Sequence, residues 1–426
     1  MITAADMAIA PASPLQAPPM PAQAVPLRER ILLVVLFVTA LASSVAFIEP
    51  SPHDVLMGVL ALTCIAAGVR IERKITMLIF LLLVWNIAGL ISLLNVAGDI
   101  KAIQYSATSF YLAVAAILFA CLFAQNTMPR LASMRTAYIA SATITALAGI
   151  AGYFHLFPGS DLFAGNGRAL GTFKDPNVFG PFLIWPMLFM MTRMLAREIS
   201  VRALIVLGIL LLGILLSFSR GAWINFGTAG AVNLALLFLT APTPQVRLRL
   251  VGISAFGLCL LAGFLVVLLS FDSVHEMFAA RAQTPQYYDV GEGGRFKLQE
   301  LALGALLDYP IGMGPFEFAR IYGLQQHNVY LQAFMVYGWL GGVVYLLMLA
   351  FTFLVGLRNA MVATPWQPYL ITAIAAFSGN VVEGGVIDTD HWRHYFLLLG
   401  MIWGLSVATM NLLQYRQAAP GLAVAG

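Results

Sequence analysis

The chain is expected to fold as an all-α integral membrane protein, with about twelve transmembrane helices and one large loop that carries an amphipathic helix. Three observations lead there. Of its 426 residues 60% are hydrophobic and 10% charged, whereas a soluble protein carries about 25% charged residues. Runs of roughly 20 apolar residues, enough to cross a bilayer as a helix, recur from end to end. The basic residues gather in short segments that fall on one side when the runs alternate across the membrane.

Residues 1–27 are rich in Pro and Ala and have no apolar run ahead of Arg28. They read as a disordered cytoplasmic tail and not as a cleaved signal peptide. Spans lie at 31–48, 55–69, 75–94, 106–124, 137–154, 177–195, 202–218, 222–239 and 250–271. A large outer loop takes 272–328, three further spans lie at 329–357, 367–385 and 394–413, and a second cytoplasmic tail takes 416–426. With both ends inside, fourteen of the 23 Lys and Arg but four of the 19 acids face the cytoplasm. The three cysteines, Cys64, Cys121 and Cys259, lie inside apolar runs, which argues against a disulfide framework or a cysteine metal site. No metal, cofactor or nucleic-acid partner is expected. Membrane lipid is the surrounding solvent.

The two longest connections, 155–176 and 272–328, fall outside, and long loops between helices usually carry function. In the second, Arg295 to Asp308 places Phe296, Leu298, Leu301, Leu303, Leu306 and Leu307 on a broad apolar face, as a surface-lying or capping helix does.

Candidate site residues cluster on the same side. Arg220, in SFSRGAWI, ends the seventh span with almost no loop before the eighth. Arginine near hydrocarbon is costly, and its fork of donors suits a phosphate. Arg295 comes after Gly293 and Gly294 at a helix start, where the dipole is already positive and a cation calls for an anion. Arg168 and Lys174 add positive charge in GNGRALGTFKDPNVFGPF, and Asp175-Pro176-Asn177 is a helix-start signal. His327 and Asn328 stand where the large loop re-enters hydrocarbon. Gly338, Gly341 and Gly342 come next, small enough for another helix to approach. The last outer turn packs Glu383, Asp388, Asp390, His391, Arg393 and His394 together without a firm ligand spacing, as an ion-pair network does. An imidazole titrates near neutral pH and can take a proton from an attacking hydroxyl. Arginines can neutralise a departing diphosphate. The substrate such a set suits has a lipid tail, phosphates at headgroup depth and a polar part outside.

The run His327-Asn328, nine residues, Gly338, two residues, Gly341 resembles the signature of the O-antigen ligases. SFSRGAWI with Arg220, and GGRF with Arg295, resemble the two arginine sites of that superfamily of ligases and polymerases, and GTFKDPNVFGPF resembles the stretch before its middle spans. The likeness covers about residues 165–345. It implies an inner-membrane glycosyltransferase with a large periplasmic loop and an undecaprenyl-diphosphate-linked glycan donor. The acceptor it implies is a lipid A core sugar, or another glycan in polymerase-type members. It also implies metal-independent inversion at the anomeric carbon, with His327 as base and Arg220 and Arg295 on the diphosphate. Where the ligase signature usually continues with Thr this chain has Gly342, which leaves a polymerase open. A transporter of a small anion or a lipid-linked sugar, and a non-catalytic scaffold, are the competing classes. The near absence of ionisable groups at span centres argues against transport.

Overall fold

The computed structural model describes residues 25–195, 200–282, 287–291 and 293–418. Most of the N-terminal tail (1–24) and the end of the C-terminal tail (419–426) lie outside these residues. The described chain is helical almost throughout. Its helices are α1 (Leu27–Leu41), α2 (Pro52–Ala67), α3 (Thr76–Leu93), α4 (Ile100–Ala124), α5 (Thr127–Tyr153), α6 (Pro176–Phe182), α7 (Ile184–Leu195), α8 (Val201–Leu216), α9 (Arg220–Thr240) and α10 (Pro244–Leu268). Four shorter ones, α11 (Asp272–Ala282), α12 (Tyr287–Val290), α13 (Arg295–Ala305) and α14 (Glu317–Tyr322), make up the large loop. The chain closes with α15 (Val329–Ala360), α16 (Gln367–Glu383) and α17 (Arg393–Ala418). A two-residue hairpin, β1 (Ala164–Gly165) and β2 (Arg168–Ala169), is antiparallel and sits in the 155–176 connection.

Helix starts obey local chemistry. Ser51 and Asp54 form a reciprocal capping box with Pro52 at the first turn of α2. Ser200, Ser219 and Thr243 cap α8, α9 and α10 through their hydroxyls. Asp175 caps α6 by accepting from the Asn177 amide at 2.8 Å, as the Asp-Pro-Asn sequence predicts.

Among the described residues eight helical stretches are long and apolar enough to cross a membrane: Arg73–Val96, Ile100–Ala124, Thr127–Tyr153, Pro176–Leu195, Arg220–Thr240, Pro244–Leu268, Val329–Ala360 and Arg393–Ala418. The other four spans read from sequence fall on the shorter helices α1, α2, α8 and α16. α17 is the central post, with His394 through Thr409 buried without interruption. It meets α4 closely because a Cβ on Gly400 or Gly404 would lie 2.4 Å from the Ala116 carbonyl or 2.6 Å from that of Ala120. Small residues four apart let helix backbones approach without side chains between them. α10 is peripheral, with only Leu250 and Leu268 buried.

Two readings need correcting. The apolar residues of the 295–308 stretch do not share one face. Leu298, Ala302 and Ala305 pack against Met313, Phe318 and Met335, while Phe296, Leu303 and Leu307 are exposed. Gly338 does not serve helix approach either. It breaks α15 at φ 69°, ψ −173°, in a region essentially reserved for glycine. The loop fills the break: Trp339 N–H donates to the Pro310 carbonyl at 2.9 Å, and Met313 N–H to that of Met335 at 2.7 Å. Gly342 makes room for the Phe334 ring of the same helix, and Gly341 for Tyr337, with Ala88 of α3 a little farther away.

Candidate functional site

α9 begins at Arg220 because Ser219 precedes it. The Ser219 hydroxyl accepts from the Ala222 amide at 3.2 Å and donates to Asn177 Oδ1 at 2.8 Å. α13 begins at Arg295 after Gly294, which no larger residue could replace. A Cβ there would lie 2.7 Å from the Gly291 nitrogen and 2.8 Å from the Asp289 carbonyl oxygen. Each arginine is thus the first residue of its helix, beside the positive end of a dipole, where a counter-anion is favoured.

That anion is internal. Arg220 Nη2 donates to Asp289 Oδ2, and Arg295 Nη1 lies 3.7 Å from Asp289 Oδ1. The carboxylate side chain is 3% exposed, against 28% and 23% for the two guanidinium side chains. Its Oδ1 accepts no hydrogen bond among the described residues. Arginines 75 residues apart in sequence therefore share one buried acid between two helix N-termini.

Arg168 reaches the same helix end from β2. Its Nε donates to the Ser217 carbonyl at 2.8 Å and its Nη2 to Asn177 Oδ1 at 2.9 Å. Asn177 thereby links Arg168 to Ser219, the residue before Arg220. Lys174 does not join them. Its Nζ pairs with Glu49 at 2.7 Å, with both side chains more than half exposed. It lines a separate cavity of about 160 Å³ with His53, Asp175, His391, Trp392 and His394, and neither Arg220, Arg295 nor His327 lines that cavity.

His327 has φ +47°, a left-handed backbone unusual for a residue with a Cβ and a common mark of functional positions. Asn328 fixes the helix start beside it. Its Oδ1 accepts from the Tyr330 and Leu331 amides at 3.0 and 3.1 Å and caps α15, and its Nδ2 donates to the Gly385 carbonyl at 3.0 Å. The imidazole Nδ1 lies 3.7 Å from Asp388 Oδ2, and the His327 side chain is 42% exposed. Burial pushes the Asp388 carboxyl above its ordinary range, against the opposing pull of His327. Gln299, one turn into α13 from Arg295, donates through Nε2 to the His327 carbonyl at 3.3 Å, which ties the imidazole loop to the second arginine's helix.

The last turn divides its charges among separate partners. Asp388 faces His327. Asp390 accepts from the Tyr105 hydroxyl at 2.6 Å and lies 3.1 Å from His391 Nδ1. Burial opposes the charge on Asp390, but His391 and Tyr105 outweigh it and hold the carboxyl below its usual range. Arg393 forks onto Asp54 with two contacts of 2.7 Å. Among the described residues no three His, Cys, Asp or Glu side chains come together as metal ligands would.

Sequence reasoning grouped Asp388 with its neighbours without finding its partner, and it did not find Asp289 as the acid that the two arginines share. A single acid ahead of a Gly-rich turn carries no pattern that marks it as the shared partner of two arginines.

No curated protein matches the chain. The family model described as O-Antigen ligase matches residues 205–346, a stretch that holds Arg220, Asp289, Arg295 and His327 and ends before Asp388. The segment that joins both arginines to the histidine is thus similar to the O-antigen ligase family over about a third of the chain, a likeness that supports the O-antigen ligase superfamily.

Proposed function

We propose that this protein is a glycosyltransferase that moves a glycan from an undecaprenyl-diphosphate carrier to a hydroxyl of an acceptor on the periplasmic side of the inner membrane. The acceptor we favour is a sugar of the lipid A core. Twelve crossings, both termini in the cytoplasm and residues 272–328 as the periplasmic loop make up the topology. Arg220 and Arg295, with Arg168 behind them, hold the diphosphate. His327 takes the proton of the acceptor hydroxyl as its oxygen attacks the anomeric carbon, and the diphosphate leaves with the bonding electrons onto the arginines. Asp388, 3.7 Å from the imidazole, orients it. A polymerase differs from this only in its acceptor, which is the end of another glycan.

The observation that carries the reading is the convergence of Arg220 and Arg295, each at the first residue of its helix, on one buried carboxylate. A seat that holds a carboxylate between two forks and two dipoles can hold a phosphate. The test is surface glycan from cells carrying His327→Ala at wild-type protein level. Long chains attached to the lipid core are expected to disappear. Attachment at the normal level would exclude His327 from the chemistry.

A further inference from the structure

α16 ends at Glu383 and is followed by a turn at Gly384 and Gly385, outside the segment matched by the family model, and three elements of the site converge on this turn. From α9, Asn225 Nδ2 donates to Glu383 Oε2 at 2.7 Å and to Asn380 Oδ1 at 2.8 Å. From the start of α15, Val329 N–H donates to the Gly384 carbonyl at 2.8 Å and Asn328 Nδ2 to that of Gly385 at 3.0 Å. From α13, Gln299 Nε2 donates to the Gly385 carbonyl at 3.3 Å as well as to that of His327. The helices of Arg220 and Arg295 and the loop of His327 are therefore referred to one turn. Asp388, which faces His327, stands three residues beyond Gly385.

Glu383 is the side chain that links α9 to this turn. It is 1% exposed, and Asn225 and Asn380 are 0% and 1% exposed. Among the described residues its Oε1 has no hydrogen-bond partner, and it rests against Gly221, where a Cβ would lie 2.6 Å away. Gly221 is the residue after Arg220. On the other side a Cβ on Gly379 would lie 1.9 Å from Asn225 Oδ1. The two helices thus touch through glycines and one carboxyl–amide pair. Among the described residues no cation meets Glu383, and one N–H serves its two oxygens. An ionised carboxylate so placed is strongly disfavoured, whereas a neutral carboxyl is tolerated.

Resting on the proposed transfer, we infer that Glu383 is a positioning residue of the site. As a neutral carboxyl it fixes the start of α9, and so the Arg220 guanidinium, against the turn that holds His327 and Gln299. The group has to be uncharged, of full glutamate length, and an acceptor for Asn225. Glutamine meets all three conditions, while alanine and aspartate do not.

The experiment measures transfer by purified full-length protein in lipid nanodiscs. The native undecaprenyl-diphosphate-linked glycan is donor, the native acceptor is supplied, and inorganic pyrophosphate is the competitor. Glu383→Gln is expected to stay within about threefold of wild type in donor KM and in pyrophosphate Ki. Glu383→Asp and Glu383→Ala are expected to raise both about tenfold or more, as lost ground-state binding does, with the acceptor KM within about twofold. A purely structural role lowers the active fraction and therefore kcat alone. Should the alanine variant fail to fold, Asn225→Ala breaks the same contact from the other side and is expected to give the same rise. Combined with Glu383→Asp it should add little, because both remove one interaction. Unchanged donor KM and Ki in folded Glu383→Asp and Asn225→Ala, or failure of Glu383→Gln to match wild type, overturns the assignment. Absence of transfer by the wild-type protein, or indifference of transfer to His327→Ala, fails the proposed function instead.

Discussion

Replacing Gly338 by alanine tests the break in α15. At φ 69° and ψ −173° a residue with a Cβ is strained by about 1–3 kcal/mol. The added methyl would also stand 2.5 Å from the Ile311 carbonyl carbon and 2.6 Å from the Pro310 carbonyl oxygen. Both are backbone atoms with hydrogen-bonding neighbours fixed on α15, so relief requires moving the loop, at about another 1–3 kcal/mol. A total of about 2–6 kcal/mol is a large share of the 5–15 kcal/mol that holds a typical domain. The assay is the temperature at which detergent-solubilised protein loses its monodisperse peak. Gly227→Ala and Gly230→Ala serve as controls. Both lie within α9 with no atom within 4 Å of an added Cβ, so alanine should be neutral or stabilising by up to about 1 kcal/mol. A Gly338→Ala protein that survives heating as well as those controls would show that the break is not imposed by the loop packed into it.

Arg220→Lys keeps the charge and loses the planar fork, so transfer is expected to fall about 10–100-fold, the equivalent of one charged hydrogen bond; a silent change in a glycan-transfer assay would favour the scaffold class. Asp289→Asn removes the internal anion and should lower the melting temperature in buffer. Added pyrophosphate should then restore more stability than it gives wild type, as mass action on a vacated seat requires; equal shifts in a thermal-shift titration would count against an anion seat. Asp388 has a raised folded-state pKa, so between the ordinary carboxylate value near 3.9 and that higher value the folded protein keeps a proton that the unfolded chain has released. Stability is then fully present at low pH and falls as pH rises through the window, and Asp388→Asn should flatten that fall in melts taken across it.

Helix positions were largely legible in the sequence because apolar run length and capping residues are local properties. Ser51, Asp175, Ser200 and Thr243 mark where helices begin. Arg295 stood out for a related reason: a cation at a helix start conflicts with the dipole, which can be read without a fold. Arg220 stood out because arginine at the end of an apolar run is costly. Their partner could not be read, because the pairing with Asp289 depends on how the loop lies on α9. The same holds for Glu383. In sequence it is one acid of a polar turn, and its contacts with Asn225 and Gly221 lie about 160 residues away. Gly338 was misread because one glycine before a GG pair looks the same whether it admits a helix or ends one. The choice depended on segment 310–313, which has no periodicity to reveal where it packs.

The interrupted α15 also bears on how such a chain can drift in length. Pro310 and Met313 are bonded into the break at Trp339 and Met335, so the stretch from there to His327 is a tether with both ends fixed. One added or lost residue within it would rotate the imidazole away from Asp388 or pull the wedge out of its slot.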